Sequence, residues 1–229
     1  MKPKVRVVCA TRAGGDQFFA TTALGRSLAV FGPSPDCELL IYPSNTAGLP
    51  TVYNHAIEAA LVQPAILVFV HDDVHLCDFF WPERVREAVE RFDVVGVAGT
   101  RLRRTRQPGW VFADEKFTRE TPENLSGTVG HGNGFPCSNV SVYGPSGLEC
   151  KLLDGVLLIV DSKTLEAHQL RFDTRFAFHF YDMDFCRQAE SKGLRMGTWP
   201  ISLVHESKGA FGNATWQQAY GRYLEKYPG

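Results

Sequence analysis

The residues Ile66-Leu67-Val68-Phe69-Val70 run straight into His71-Asp72-Asp73, and that junction constrains the fold more than any other stretch of the chain. A short apolar, β-branched run that stops abruptly reads as a strand buried on both faces. Carboxylates are poor strand residues, so the strand ends where they begin. Two side by side repel unless positive charge sits near them. In an open α/β sheet, ligands bind outside the carboxyl ends of the strands, and hard cations bridge protein carboxylates to phosphates. The junction therefore points to a divalent metal holding a phosphorylated substrate. The competing reading is that one Asp caps a following helix.

The flanking pattern supports a layered α/β fold. Val5–Ala10 and Cys37–Tyr42 read as strands, as do residues 94–98. Asp16 is expected to cap a helix reaching about Phe31, with Phe19, Leu24, Leu28 and Phe31 as its buried stripe. Helices are also expected over 51–61 and from Pro82 to about Phe92. Strands alternating with helices imply a mostly parallel sheet flanked by helices, joined by right-handed crossovers. Residues 99–151 break the pattern with Gly, Pro, Asn and Ser; irregular segments this long are usually functional, so short strands and a flexible substrate-facing segment are expected there. Within them, 130–134 reads as a flexible lid or a surface loop. The arginines at 101, 103, 104 and 106 read as a solvated basic turn or as phosphate contacts. Order returns with a strand over 152–160 and a helix opened by Ser162. A further helix runs from Tyr181 to about Lys192, with Gly193 just past its end. Strands near 196–199 and 201–205 and a helix over 215–226 complete the chain. No linker divides it, so one domain is expected across 1–229.

With 24 basic and 25 acidic residues the chain is nearly neutral, which gives no electrostatic case for nucleic acid or an anionic membrane. Six scattered cysteines without a C-x-x-C pair read as reduced thiols. No apolar stretch approaches the roughly 20 residues of a membrane span. Met1-Lys2-Pro3-Lys4 leads directly into a strand rather than a signal-like apolar stretch. The expectation is a cytoplasmic protein that is not membrane-embedded and meets a membrane only through its substrate.

Two later clusters belong with the carboxylates. Asp182 and Asp184 straddle a helix start beside His179; capping accounts for one of them, but less readily for both. His205 ends a strand, where a histidine is either a hydrogen-bonded surface residue or a ligand.

Taken in order, these pieces resemble the GT-A glycosyltransferases, in their family-2-like branch, from Val5 to about Gly209. The resemblance is carried by Thr11-Arg12 after the first strand, Gly48-Leu49 with Tyr53-Asn54, and Phe69-Val70-His71-Asp72-Asp73 at the Asp-x-Asp position. Gly96-Val97-Ala98-Gly99, Asp154-Gly155, Phe180-Tyr181-Asp182-Met183-Asp184-Phe185, Gly193, Pro200 and His205 continue it. It implies a nucleotide-binding half over about 1–98, an acceptor-side segment over 99–151 and a catalytic half over 152–229. By this resemblance Asp73 holds a Mn2+ or Mg2+ ion on the diphosphate of a nucleotide-sugar, most commonly a UDP-sugar, and His205 completes the metal shell. Thr11, Arg12 and Asn54 line the nucleotide pocket, and Asp72 lies near the ribose and sugar. Asp182 is the base that deprotonates the acceptor, a glycan or lipid-linked hydroxyl. Asp154, Gly155, His179 and Asp184 lie on the sugar and acceptor side.

Two positions depart from the pattern. His71 stands where the triplet has its first Asp, and histidine is compatible with manganese. Tyr181 stands where an acidic residue commonly precedes the base. The Q-x-x-R-W signature of processive synthases is absent, so the expectation is transfer of a single sugar with inversion. Trp110, Trp199 and Trp216 are either core residues or platforms for an acceptor sugar. Two further readings stay open: a catalytically silent relative that binds nucleotide-sugars or glycans, and a two-metal phosphohydrolase built on His71, Asp72, Asp73, His75 and His205.

Overall fold

The computed structural model describes residues 3–207, 209 and 211–228. In chain order its elements are β1 (Val5–Ala10), α1 (Phe18–Thr21), α2 (Ala23–Phe31), β2 (Cys37–Tyr42), α3 (Leu49–Val62), β3 (Ile66–Val70), β4 (Val74–Leu76) and α4 (Trp81–Arg91). There follow β5 (Val94–Gly96), β6 (Ala98–Thr100), β7 (Leu125–His131), β8 (Asn139–Gly144), β9 (Leu152–Leu153) and β10 (Leu157–Asp161). The last are α5 (Ser162–Ala167), α6 (Tyr181–Ser191), β11 (Met196–Thr198), β12 (Leu203–His205) and α7 (Ala214–Lys226).

These strands form two sheets. The first has the order β11-β5-β10-β3-β1-β2. Its pairs are parallel except where β10 runs against β3 and β5. Every residue of β1 and β3 is buried, as expected for strands covered on both faces; β3 is apolar throughout, and the one charge in β1, Arg6, is paired with Glu38 of β2 at 2.8 Å. The chain passes from β1 outward to β2, then returns to place β3 on the other side of β1. That reversal opens a crevice at the strands' carboxyl ends, where Thr11, Arg12, Asp72 and Asp73 emerge. The second sheet, β4-β12-β7-β6-β9 with β8 on β7, is antiparallel apart from β12 with β7.

The expected mostly parallel sheet is therefore one of two. The expected strands over 94–98 and 152–160 each divide between the sheets, as β5 with β6 and β9 with β10. Glycine permits the close approach of β9 to β6: a Cβ on Gly99 would fall 2.9 Å from Leu153 Cδ2. Residues 130–134 divide between a strand and a turn. Gly130 and His131 end β7, and Gly132 and Gly134 take positive φ values of 134° and 83° in the turn that leads toward β8, a conformation that glycine adopts readily.

The first helix also differs from expectation. Asp16 lies in a short 3-10 turn, and the helix restarts at Thr22, whose Oγ1 accepts from Gly25 N at 2.9 Å. Leu24 and Leu28 are buried as expected, but Phe19 is 47% exposed. The basic run does not face a phosphate site: Arg103 pairs with Glu190, Arg104 with the buried Glu120, and Arg106 with Glu115. All six cysteines are free. No helix among the described residues is long and apolar enough to cross a membrane.

Helix α7 closes the fold over α6. Asp184, 0% exposed, accepts from Gln188 Nε2 at 2.6 Å and Tyr227 Oη at 2.8 Å, and pairs with Lys226. Asp184 is therefore an anchor for the end of α7 and is not an acceptor-side residue. Removing one partner of a buried ion pair strands the other. Asp184→Ala is expected to cost about 3–5 kcal/mol, lowering the melting temperature by roughly 6–20 °C; calorimetry showing an unchanged transition would contradict this anchor.

Candidate functional site

Two clefts meet at the exit of β3. The first, about 490 Å3, lies between Thr11–Arg12, the turn 45–48 before α3, and His71–Asp73. The second, about 400 Å3, is lined by Asp154, Asp182, His179 and His205 and walled by Trp110, Tyr143, Phe211 and Trp216. His71, Asp73 and Phe178 line both clefts and form the partition.

The adjacent carboxylates resolve their repulsion by diverging. Asp72 Oδ2 accepts from Thr11 Oγ1 at 2.6 Å, and that hydroxyl in turn accepts from Ala13 N at 3.1 Å. Thr11 thus shapes the crevice as well as lining it. Asp73 turns instead toward two imidazoles: its Oδ2 is 3.4 Å from His205 Nε2 and its Oδ1 is 3.9 Å from His71 Nδ1. Burial pushes the Asp73 carboxyl up, but the His205 and His71 rings outweigh it and hold it below the usual range. His205 is moved the other way: burial lowers it, and the neighbouring Asp73 carboxylate raises it above its ordinary value. Burial lowers His71.

His71, Asp73 and His205 offer donor atoms within 4.8 Å of one another, the one such metal-ligand cluster among the described residues. Asp73 Oδ1 and His205 Nε2 are buried without a hydrogen-bond partner, an arrangement that native structures rarely leave unanswered. Two donors about 2.0–2.2 Å from a shared ion lie at most about 4.4 Å apart, so separations of 3.4 and 3.9 Å fit a common ion. His75 and Asp72 stay outside this set, so the five-residue two-metal arrangement is not assembled.

Asp182 sits in the first turn of α6, where a carboxylate is favoured by the helix dipole. Its Oδ2 accepts from Gly155 N at 3.0 Å and its Oδ1 from Met183 N at 2.9 Å. Burial, then the neighbouring Asp154 charge, pushes its carboxyl up to about 7 against those two donors. Asp154 is fixed by Trp110 Nε1 at 2.9 Å and Val156 N at 2.9 Å. Just before α6, Phe180 adopts φ 66°, ψ 2°, a left-handed conformation uncommon outside glycine, Asn and Asp. A pile of aromatic rings holds it there: Trp216 at 5.2 Å, Tyr220 at 5.5 Å and Tyr223 at 5.2 Å. Strain of this kind clusters at functional sites.

Of the residues expected at the site, Thr11, Arg12, His71, Asp72, Asp73, Asp154, Gly155, His179, Asp182 and His205 line one cleft or the other. Asn54 does not. Its amide donates to Phe172 O at 2.8 Å and accepts from Phe172 N at 3.0 Å, clasping a backbone segment beneath the site. Gly155 is required sterically, since a Cβ there would lie 2.7 Å from Tyr181 Cζ and 2.9 Å from Asp182 Cβ. Trp110 and Trp216 line the second cleft, whereas Trp199 lines a separate groove with Cys77 and Cys137. Phe178, Tyr143 and Arg119 carry no sequence signal of a site: Phe178 and Arg119 lie outside the helices and strands, and Tyr143 lies in β8, none of whose residues is fully buried.

No protein-family model matches the chain, and no curated protein matches it. Comparison with solved structures aligns it with A197 from STIV at 9% identity and a TM-score of 0.47, over 92% of this chain and 97% of that one.

The raised Asp182 carboxyl has a stability consequence whose sign is fixed. Between the ordinary Asp value of about 3.9 and about 7, the folded chain keeps a proton that the unfolded chain releases. Stability from this group is full below about 3.9 and is lost as pH rises through that window, by at most about 4 kcal/mol. Asp182→Asn is expected to melt several degrees above the parent at pH 8, with a smaller gain at pH 5; a gain independent of pH would contradict the shift.

Proposed function

We propose that this chain is a metal-dependent glycosyltransferase of GT-A type, moving one sugar from a nucleotide-diphosphate sugar to an acceptor hydroxyl with inversion. The observation that carries the reading is the shared partition: a divalent-ion ligand set and a carboxyl poised near 7 line the aromatic-walled cleft, with the Thr11–Arg12 cleft directly behind the ligands. The switch in strand order at β1 and β3 supports this reading, since α/β sheets bind nucleotides at such a switch.

In this reading the donor occupies the crevice of Thr11, Arg12 and Asp72. Arg12 is exposed there and makes no ion pair among the described residues. The start of α3, at Gly48–Leu49, lines the same crevice; its first N–H groups are engaged by Ala177 O and Gly48 O, so it shapes the crevice and leaves the anion to Arg12. His71, Asp73 and His205 would hold the divalent ion. When bound, such an ion supplies compensation for the charge that gathers on a departing diphosphate.

The acceptor lies in the aromatic-walled cleft, where ring faces suit the apolar face of a sugar. Asp182 takes the proton from its hydroxyl. A general base works best when its pKa lies near the operating pH, and typically contributes about 10²–10⁴-fold. The Gly155 and Met183 amides keep the carboxylate oriented in the first turn of α6, and Asp154 raises its affinity for the proton. Phe178, 55% exposed and stacked on His71 at 6.0 Å, lies between donor and acceptor clefts.

The test is a panel of nucleotide-sugars incubated with Mn2+, followed by the release of nucleoside diphosphate. The expected result is Mn2+-dependent turnover that climbs with pH to a plateau above about 7. Asp182→Asn is expected to lower it at least about 10²-fold and to flatten that pH dependence. Nucleotide-sugar binding with no turnover in any combination would point instead to a silent binding protein. Phosphate release without a sugar acceptor or donor would point to a hydrolase.

A further inference from the structure

The two positions where the chain departs from the glycosyltransferase pattern, His71 and Tyr181, touch in the fold: His71 Nε2 lies 2.8 Å from Tyr181 Oη. Tyr181 Oη is also 2.7 Å from Gly155 O. A carbonyl oxygen can only accept, so the single phenol proton goes to Gly155, and the phenol oxygen accepts from His71 Nε2–H. A neutral imidazole that donates from Nε2 carries its free lone pair on Nδ1. Nδ1 is the atom 3.9 Å from Asp73 Oδ1.

Packing argues that this hydroxyl is there for a purpose. The Tyr181 ring is buried with Tyr53 at 5.9 Å and Phe172 at 6.0 Å. A phenylalanine would fill that space without the penalty of desolvating a hydroxyl. The Gly155 peptide that receives the phenol proton also donates its N–H to Asp182 Oδ2 at 3.0 Å. One turn thus ties the imidazole to the carboxyl across the partition.

We infer that Tyr181 is a positioning residue that fixes His71 as an Nδ1 ligand, giving a donor set of two imidazoles and one carboxylate that selects a first-row transition ion over Mg2+ or Ca2+. The inference rests on the proposed metal site and adds to it the class of ion and the group that sets it. Imidazole nitrogen suits transition ions, whereas Mg2+ and Ca2+ prefer an all-oxygen shell. A ligating histidine whose other ring nitrogen loses its partner typically costs the site 10–100-fold in metal affinity.

The experiment is Mn2+ binding without substrate, followed by electron paramagnetic resonance of the free ion and by the nitrogen hyperfine couplings of the bound one. The parent chain is expected to bind Mn2+ with couplings from two imidazoles and to keep it against a tenfold excess of Mg2+. Tyr181→Phe is expected to stay folded, to bind Mn2+ about 10–100-fold more weakly, and to lose one coupling. In a His71→Asn background, adding Tyr181→Phe should change the affinity no further, because the two residues act through one ligand. A parent chain that binds no divalent ion overturns the metal site itself. Equal binding by the parent and Tyr181→Phe leaves that site standing and overturns the role of Tyr181. Displacement by equimolar Mg2+, or a single-imidazole spectrum from the parent, overturns the selectivity.

Discussion

Asp73 carries a buried carboxylate oxygen without a hydrogen-bond donor, at the exit of a central strand, between two imidazoles that approach it to 3.4 and 3.9 Å. A buried charged acceptor left unanswered costs about 1–3 kcal/mol or more. The surrounding architecture makes sense as the machinery that builds and exploits that spot. β3 delivers Asp73 and His71; the second sheet, through β12 lying between β4 and β7, delivers His205. No single element supplies the three donors, and the two sheets must meet for them to converge.

The turn between β9 and β10 is where that meeting has functional consequences. Asp154, Gly155 and Val156 lie within one reversal of the chain, and their backbone and side chains reach Trp110, Asp182 and Tyr181. Gly155 leaves no room for a Cβ there, so this turn is specified sterically as well as by hydrogen bonds. On the far side, α7 presses Trp216, Tyr220 and Tyr223 against the left-handed Phe180, and the Asp184–Lys226 pair holds its last turn. The carboxyl of Asp182 is thereby placed from both directions.

Much of this was legible in local sequence. The β1 and β3 strands, the α6 start at Tyr181 and the strand-terminal His205 follow from apolar runs, a dipole-favoured carboxylate pair and a breaker glycine. What local sequence does not encode is the partner across the fold. Asn54 sits at a suitable place in α3, yet its amide is occupied by Phe172, more than a hundred residues onward. Asp182 and Asp184 look alike on a helix start, but a two-residue step turns Asp184 inward, to Lys226 and Tyr227. The glycines near 130 read as freedom, and strand pairing with β12 and β8 removes it from Gly130 while Gly132 and Gly134 stay in the turn beyond. The His71–Tyr181 contact joined two departures from one pattern, which sequence alone presented as unrelated.

A cation is proposed where the donor atoms of His71, Asp73 and His205 converge. Anomalous scattering from a crystal soaked with Mn2+ and a nucleotide-sugar tests it most directly. The expected map has a single peak in contact with His71 Nδ1, an Asp73 oxygen and His205 Nε2, with the diphosphate reaching it from the Thr11–Arg12 side. A map with no peak there while nucleotide density fills the crevice, or with the ion elsewhere, would contradict it.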